Sequence, residues 1–366
     1  LVSGEERVSH TENGLPPQDF EKVLAASDTS VASFDTDHRS LLEHAQHLLH
    51  KNPALVPLII LVVSVLFFGT IVGPKFFQPF TLTLILQQVA ITGIVGVAQT
   101  LIVLTAGIDL SVGAIMVLTS VVMGQMTMHL GVPTPLAILI GIAVGALCGF
   151  INGFLVSRVK LPPFIVTLGT WSVYSAINFI YSGNETIRAA DLDTNAPLLE
   201  FFGGTFNIGG AVFTYGVILM IVLAALAWYV LNHTAWGRHL YAVGDDPESA
   251  QLAGVRVNRM LLQVYVVCGV ICAIAGWALI GRIGSVSPQA GQFENINSIT
   301  AVVIGGTSLF GGRGSILGTI FGAIIVGVFA LGLRLWGTDP QWTQLSVGAL
   351  IIVAVAIDQW IRRISA

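Results

Sequence analysis

The sequence predicts an all-α integral membrane protein of about ten transmembrane helices, with Gly-rich breaks between helices 2 and 3 and between helices 8 and 9. Three observations predict it. Apolar residues make up 54% of the 366 residues, and 40 Gly bring that share to roughly 65%, against about 45–50% in soluble domains. Charged residues are only 10%, too few to cover a soluble surface. The apolar residues fall in runs of about 20, the length a helix needs to cross the hydrocarbon core. This composition excludes a soluble enzyme, a disordered chain and a nucleic-acid binder with a basic face. A net charge of −4 implies no general attraction to phosphate. Cys148, Cys268 and Cys272 all lie in apolar stretches and offer neither a disulfide framework nor zinc-type spacing.

The first element is not a span. Residues 1–52 carry nine acids and four Lys/Arg, whereas residues 53–366 carry eleven and twelve. Residues 1–52 therefore form a polar acidic tail, and 53–366 a nearly neutral membrane domain. Within the tail, residues 41–50 suit a short amphipathic helix. His44, His47 and His50 recur there every third residue, as a solvated or interfacial face rather than a metal site. Ten spans follow, near 54–73, 82–105, 110–130, 134–157, 163–182, 211–231, 261–281, 298–310, 315–334 and 342–361. The eighth is short and Gly-interrupted, which suits either a crossing or a re-entrant segment.

The basic residues test that count. With the N-terminus inside, ten Lys/Arg (39, 51, 158, 160, 238, 256, 259, 313, 362 and 363) flank inner ends, against four (75, 188, 282 and 334) outside. Both termini are therefore expected on the cytoplasmic side. The outer connection near 183–210 is the largest outward surface. The inner connection at 232–260 is the longest internal one. There Asp246 suits an N-cap, Pro247 the first helical position, Glu248 the first turn and Gly254 a left-handed stop. A two-turn helix is predicted, unstable alone in water and thus packed on a soluble partner or on the rest of the chain.

The first break, Leu104–Gly113, holds Asp109, an acid that either faces a cavity or caps the next helix with help from Ser111. The second, Gly305–Ser315, lies on the same predicted side. Paired interruptions point to a substrate path, and glycines also serve plain close packing. Asp358 is expected one turn from the inner end, paired with Arg362, and Glu294 at a span entrance. The sequence has no P-loop, no metalloprotease motif, no nucleophile elbow and no relay of intramembrane acids and bases. The chain therefore has no evident energy source of its own. It is read as a subunit driven by another protein or, alternatively, as a stand-alone channel or secondary carrier for a small neutral solute. A membrane enzyme acting on lipid would need a nucleophile, a metal cluster or an acid pair, and the sequence offers none.

Four stretches carry a resemblance: LTAGIDLSVG (Leu104–Gly113), LPPFIVTLG (Leu161–Gly169), NHTAWGRHLYAVGDDPESAQLAGVRV (Asn232–Val257) and VIGGTSLFGGRGSILG (Val303–Gly318). Across about residues 54–363 the chain resembles the permease subunits of the ribose/xylose/galactose class of sugar ABC importers. The resemblance implies a non-enzymatic subunit that translocates a monosaccharide across a bacterial inner membrane by alternating access. It implies a homodimer, two cytoplasmic ATPase subunits that bind the ATP and Mg, and a periplasmic sugar-binding protein. No cofactor and no metal are expected in this chain. Thr83–Val97, Gly281–Gln292 and Leu331–Trp342 favour fructose as cargo, with ribose or mannose as alternatives. The resemblance assigns Gly244, Asp245, Asp246, Pro247, Glu248, Ala250 and Gly254 to ATPase coupling, although Ser249 departs from the Ala of the class's E-A-A-x-x-x-G element. Candidates for the translocation path are Gly107, Asp109, Ser111, Gln88, Gln99, Asn152, Trp171, Asn178, Gly305 and Gly306, with Gln87 and Tyr174 nearby in the same spans. For each polar side chain among them, holding neighbouring helices together is the competing role.

Overall fold

The computed structural model describes residues 54–365. The tail, with its 41–50 segment and three His, lies outside the described residues, as do the side chains of Asp358 and Arg362. The longer helices are α1 (Leu55–Val72), α2 (Pro79–Val103), α3 (Val112–Met128), α4 (Thr134–Ser157) and α5 (Pro163–Ser182). A short α6 (Ala189–Asn195) and a hairpin, β1 (Thr205–Ile208) with β2 (Ala211–Thr214), precede α7 (Tyr215–His233). Then come α8 (Ala235–Asp245), α9 (Pro247–Leu252), α10 (Val257–Ile283), α11 (Glu294–Ile304), α12 (Ile316–Trp336) and α13 (Pro340–Ser365).

Seven of these, α1, α2, α4, α5, α7, α10 and α12, are long and apolar enough to cross a membrane. Helix α3, at 17 residues, is shorter. Helix α11 has only 11 residues, about half of what a crossing requires. Phe293, the last residue before it, ends an irregular descent from Gly284. The eighth apolar segment is thus a half-helix preceded by a run of turns.

Close backbone approach organises the bundle. Helix α4 carries Gly145, Gly149 and Gly153 four residues apart, so one stripe lacks side chains. Helix α10 lies against that stripe, with the Tyr265 carbonyl where a Cβ on Gly149 would sit and Gly269 facing Gly145. Small-xxx-small seams of this kind let helices gain dispersion contacts in a medium where burial from water contributes nothing. Around the seam, α2, α3 and α10 form the most buried region, with Ile94, Ile102, Met116 and Cys272 essentially inaccessible.

The connection after α5 departs from the all-α expectation. Gly209 and Gly210, both at positive φ, close a two-residue turn that pairs Ile208 with Ala211 and Phe206 with Phe213. Such a turn needs two left-handed residues, which Gly-Gly supplies without a Cβ penalty. The same connection buries Leu192, Ala196 and Leu199 against Ile187 and Val286. Ile187 and Val286 form an isolated antiparallel bridge, and the Trp277 indole donates to the Leu198 carbonyl at 3.1 Å. The predicted outer surface is therefore a folded cap fastened to α10.

Candidate functional site

Helix α9 is built by its own termini. The Asp246 carboxylate accepts from the backbone N–H groups of Glu248 (2.9 Å) and Ser249 (3.2 Å). Hydrogen bonds from Ser249, first its hydroxyl and then its backbone, hold the Asp246 carboxyl below the usual range. Pro247 occupies the first turn, and Gly254 follows the helix at φ +89°. Ala250 is buried, whereas Leu252 is 90% exposed. That exposed Leu is a further candidate, which the resemblance did not assign to coupling. Its signal was available: an apolar side chain on a helix too short to stand alone. Beside α9 a groove of about 380 Å³ is lined by Trp236, Gly254, Arg256 and Arg259.

Helix α8 enters this region with its own cap, the Thr234 hydroxyl accepting from the Gly237 N–H at 3.2 Å. Its end meets both Gly-rich breaks. A Cβ on Gly244 would collide with the Leu104 carbonyl oxygen of the first break and lie 2.8 Å from the Gly312 nitrogen of the second. The two breaks are themselves joined there, since Gly312 N–H donates to that same Leu104 carbonyl at 3.0 Å. Gly311 and Gly312 have positive φ, and a Cβ on Gly312 would press on Asp245. The Tyr241 hydroxyl donates to the Gly314 carbonyl at 3.0 Å. Three chain segments far apart in sequence thus converge backbone to backbone at one junction.

The path candidates separate into groups. Asp109 is 1% exposed and accepts from the Ser111 N–H (2.7 Å) and the Ser111 hydroxyl (2.6 Å). The Ser111 hydroxyl in turn accepts from Asn152 Nδ2 at 2.8 Å. Tyr174 donates to the Cys148 carbonyl at 3.0 Å. Asp109 therefore shapes the turn and ties it to α4, and Ser111 itself is the N-cap residue of α3, without a side-chain cap bond. Gln99 is fully buried with neither amide atom hydrogen-bonded. Gln87 donates to the Val212 carbonyl of the hairpin. A Cβ on Gly107 would meet Ile102 and the Tyr265 hydroxyl; one on Gly305 would strike the Gly318 backbone, and Gly306 sits at φ +77°.

Only three candidates line a described cavity. Trp171 and Asn178 border one of about 260 Å³ between α3, α5 and the chain before α11. Gln88 borders another of about 410 Å³, with Thr92, Arg282, Glu294, Asn297 and Arg334. Glu294 is more enclosed than a span entrance implies, at 8% exposure. Thr92 donates to its carboxylate at 2.9 Å, and Arg282 lies alongside while donating to the Gln88 carbonyl at 3.2 Å. No local sequence signal places these residues together, because α2 lies almost two hundred positions before α10 and α11.

Comparison with known proteins places this architecture. A family model described as branched-chain amino acid transport system / permease component matches residues 81–355. The fructose import permease protein FrcC of Rhizobium meliloti is 69% identical over 351 residues, 96% of this chain and 98% of the relative. The ribose import permease protein RbsC of Bacillus subtilis is 36% identical, covering 86% and 95%. The galactose/methyl galactoside import permease protein MglC of Haemophilus influenzae is 31% identical, covering 81% and 92%. No solved structure matches the chain. With the family model spanning most of the membrane domain, and the glycine junction falling inside it, the chain belongs to the family of branched-chain amino acid transport system permease components.

Proposed function

We propose that this chain is the membrane subunit of an ATP-driven importer that carries a monosaccharide, fructose first, across the bacterial inner membrane. The cargo rests on the relative named for fructose import; the mechanism rests on the junction of Gly244 with Leu104 and Gly312. Both termini are cytoplasmic, the acidic tail included, and the 232–260 connection faces the cytoplasm. Two copies of the chain pair with two ATPase subunits, which bind the ATP and Mg, and a periplasmic binding protein delivers the sugar to the opposite face.

Helix α9 docks on the ATPase, with Asp245, Asp246, Pro247, Glu248 and Gly254 shaping the contact and Ala250 anchoring it inward. Exposed Leu252 supplies the apolar anchor that a groove on a soluble partner needs. ATP-driven closure of the ATPase pair displaces α8 and α9. Gly244 passes that displacement to both breaks, and the path between the half-helices alternates in access. A neutral sugar requires hydrogen-bond partners and aromatic faces rather than charge, so the buried Asp109 network serves as scaffold.

The test is reconstitution. Proteoliposomes holding the permease, its ATPase and the binding protein take up fructose only with ATP inside the ATPase compartment. Uptake by the permease alone, set by the sugar gradient, would refute the driven reading.

A further inference from the structure

We infer that the cavity between α3, α5 and the chain before α11 is a monosaccharide-contact site, in which the Asn178 side-chain oxygen accepts a hydrogen bond from a sugar hydroxyl. This rests on the monosaccharide cargo proposed above and gives it a binding site within the permease.

The argument begins with one amide. Asn178 is 3% exposed. Its Nδ2 donates to the Pro288 carbonyl at 2.8 Å. A carbonyl only accepts, so the amide must turn its nitrogen toward Pro288, and that fixes which atom is left over. The remaining Oδ1 is buried and has no hydrogen-bond partner. A buried acceptor without a donor is costly and asks for an explanation. Asn178 lines the cavity, so a donor seated there that reaches this oxygen relieves the cost. An anion without an O–H or N–H group could not, since it brings no donor hydrogen.

The walls narrow the donor further. Trp171, Phe179 and Phe293 border the same space, together with Ser175. Trp171, Ser175 and Asn178 follow one another at four and three residues along α5, so one face of the helix presents an aromatic ring, a hydroxyl and an amide. No ionisable side chain lines the cavity, which disfavours a metal ion or charged solute. Aromatic faces beside an acceptor and a hydroxyl suit a molecule with apolar C–H faces and a rim of hydroxyls. The volume, about 260 Å³, lies just under the usual range for drug-sized ligands of about 300–1,000 Å³, which suits one sugar ring.

The experiment uses the purified permease–ATPase complex, with fructose as the probe and saturation-transfer NMR in the absence of binding protein. The wild-type complex transfers saturation to fructose ring protons. Asn178→Leu and Trp171→Ala each weaken that binding about tenfold or more, while the ATPase still co-purifies with the variant permease. Trp171 is 39% exposed, so its truncation opens no buried void and decides the matter if Asn178→Leu does not assemble. Unchanged saturation transfer in both variants would overturn the site. Proteoliposome uptake by the wild type separates the two readings. Uptake of a monosaccharide with both variants unaffected overturns the site alone, and a different transported monosaccharide replaces fructose as the probe. Uptake of no monosaccharide overturns the cargo and the site together.

Discussion

At Gly244 a single hydrogen atom stands where any other residue would place a carbon against the Leu104 carbonyl. Gly244→Val is expected to lower uptake by about tenfold or more, equivalent to at least ~1.4 kcal/mol of barrier, while the ATPase still co-purifies. Loss of co-purification in that variant would instead place the defect in docking. Leu252→Asp is the complementary change. It touches a side chain that is 90% exposed, so melting temperature should hold while ATPase association falls. These two residues also mark what was legible in the sequence. The caps of α9, Asp246, Pro247 and Gly254, could be read because capping is chemistry among near neighbours. The junction could not, because it joins positions 104, 244 and 312, and no local pattern reports which glycine another backbone approaches. Asn178 was legible as a polar residue in a span, but its unpartnered oxygen depends on where Pro288 lies.

Among the elements, the α4–α10 seam gives an internal comparison. Gly149→Leu must push the Tyr265 carbonyl aside, an overpacking that costs about 1–3 kcal/mol or more. Gly169→Ala on α5 meets nothing within 4 Å and should be neutral or stabilising by up to about 1 kcal/mol. Thermal melting of the purified protein would separate the two, and equal shifts would contradict the seam's role. The cap after α5 makes a pH prediction. Burial, and then the Asp193 carboxyl, push the Glu200 carboxyl up to about 7 from an ordinary 4.5. Between those values the folded protein holds a proton that the unfolded chain has released. Stability from this pair is therefore fully present below about pH 4.5 and lost as pH rises through about 7. The melting temperature should fall from about pH 5 to about pH 8, and Asp193→Asn should flatten that fall. The hairpin in this cap had a readable signal, Gly209-Gly210 between Thr-Phe-Asn-Ile and Ala-Val-Phe-Thr. The span-based reading passed over it because it ran Ala211–Thr214 into the sixth apolar span, near 211–231.

For the whole molecule, the few charges in the membrane domain set the logic. The overall class, a multi-pass helical membrane protein, was legible from composition and run length, whereas the permease reading came from the resemblance carried by four motif stretches. The depth of Glu294 was not, since its position ahead of a short apolar run suggests an exposed entrance. Helix α11 covers about half a crossing, and the chain that precedes it borders both cavities through Phe293. In the proposed importer, that arrangement puts both cavities beside the chain that leads into the short α11, with the long α10 and α12 near it.

The junction has a mechanical consequence. Side chains transmit force loosely, because rotamers turn and absorb displacement before a neighbour feels it. Where Gly244, Leu104 and Gly312 meet, only main-chain atoms intervene, and main chain has almost no slack to take up. A linkage without play cannot deliver its stroke to one break and withhold it from the other. Opening of the inner side should then occur as one event rather than two, and stopped-flow traces from labels placed at each break should share a single rate constant.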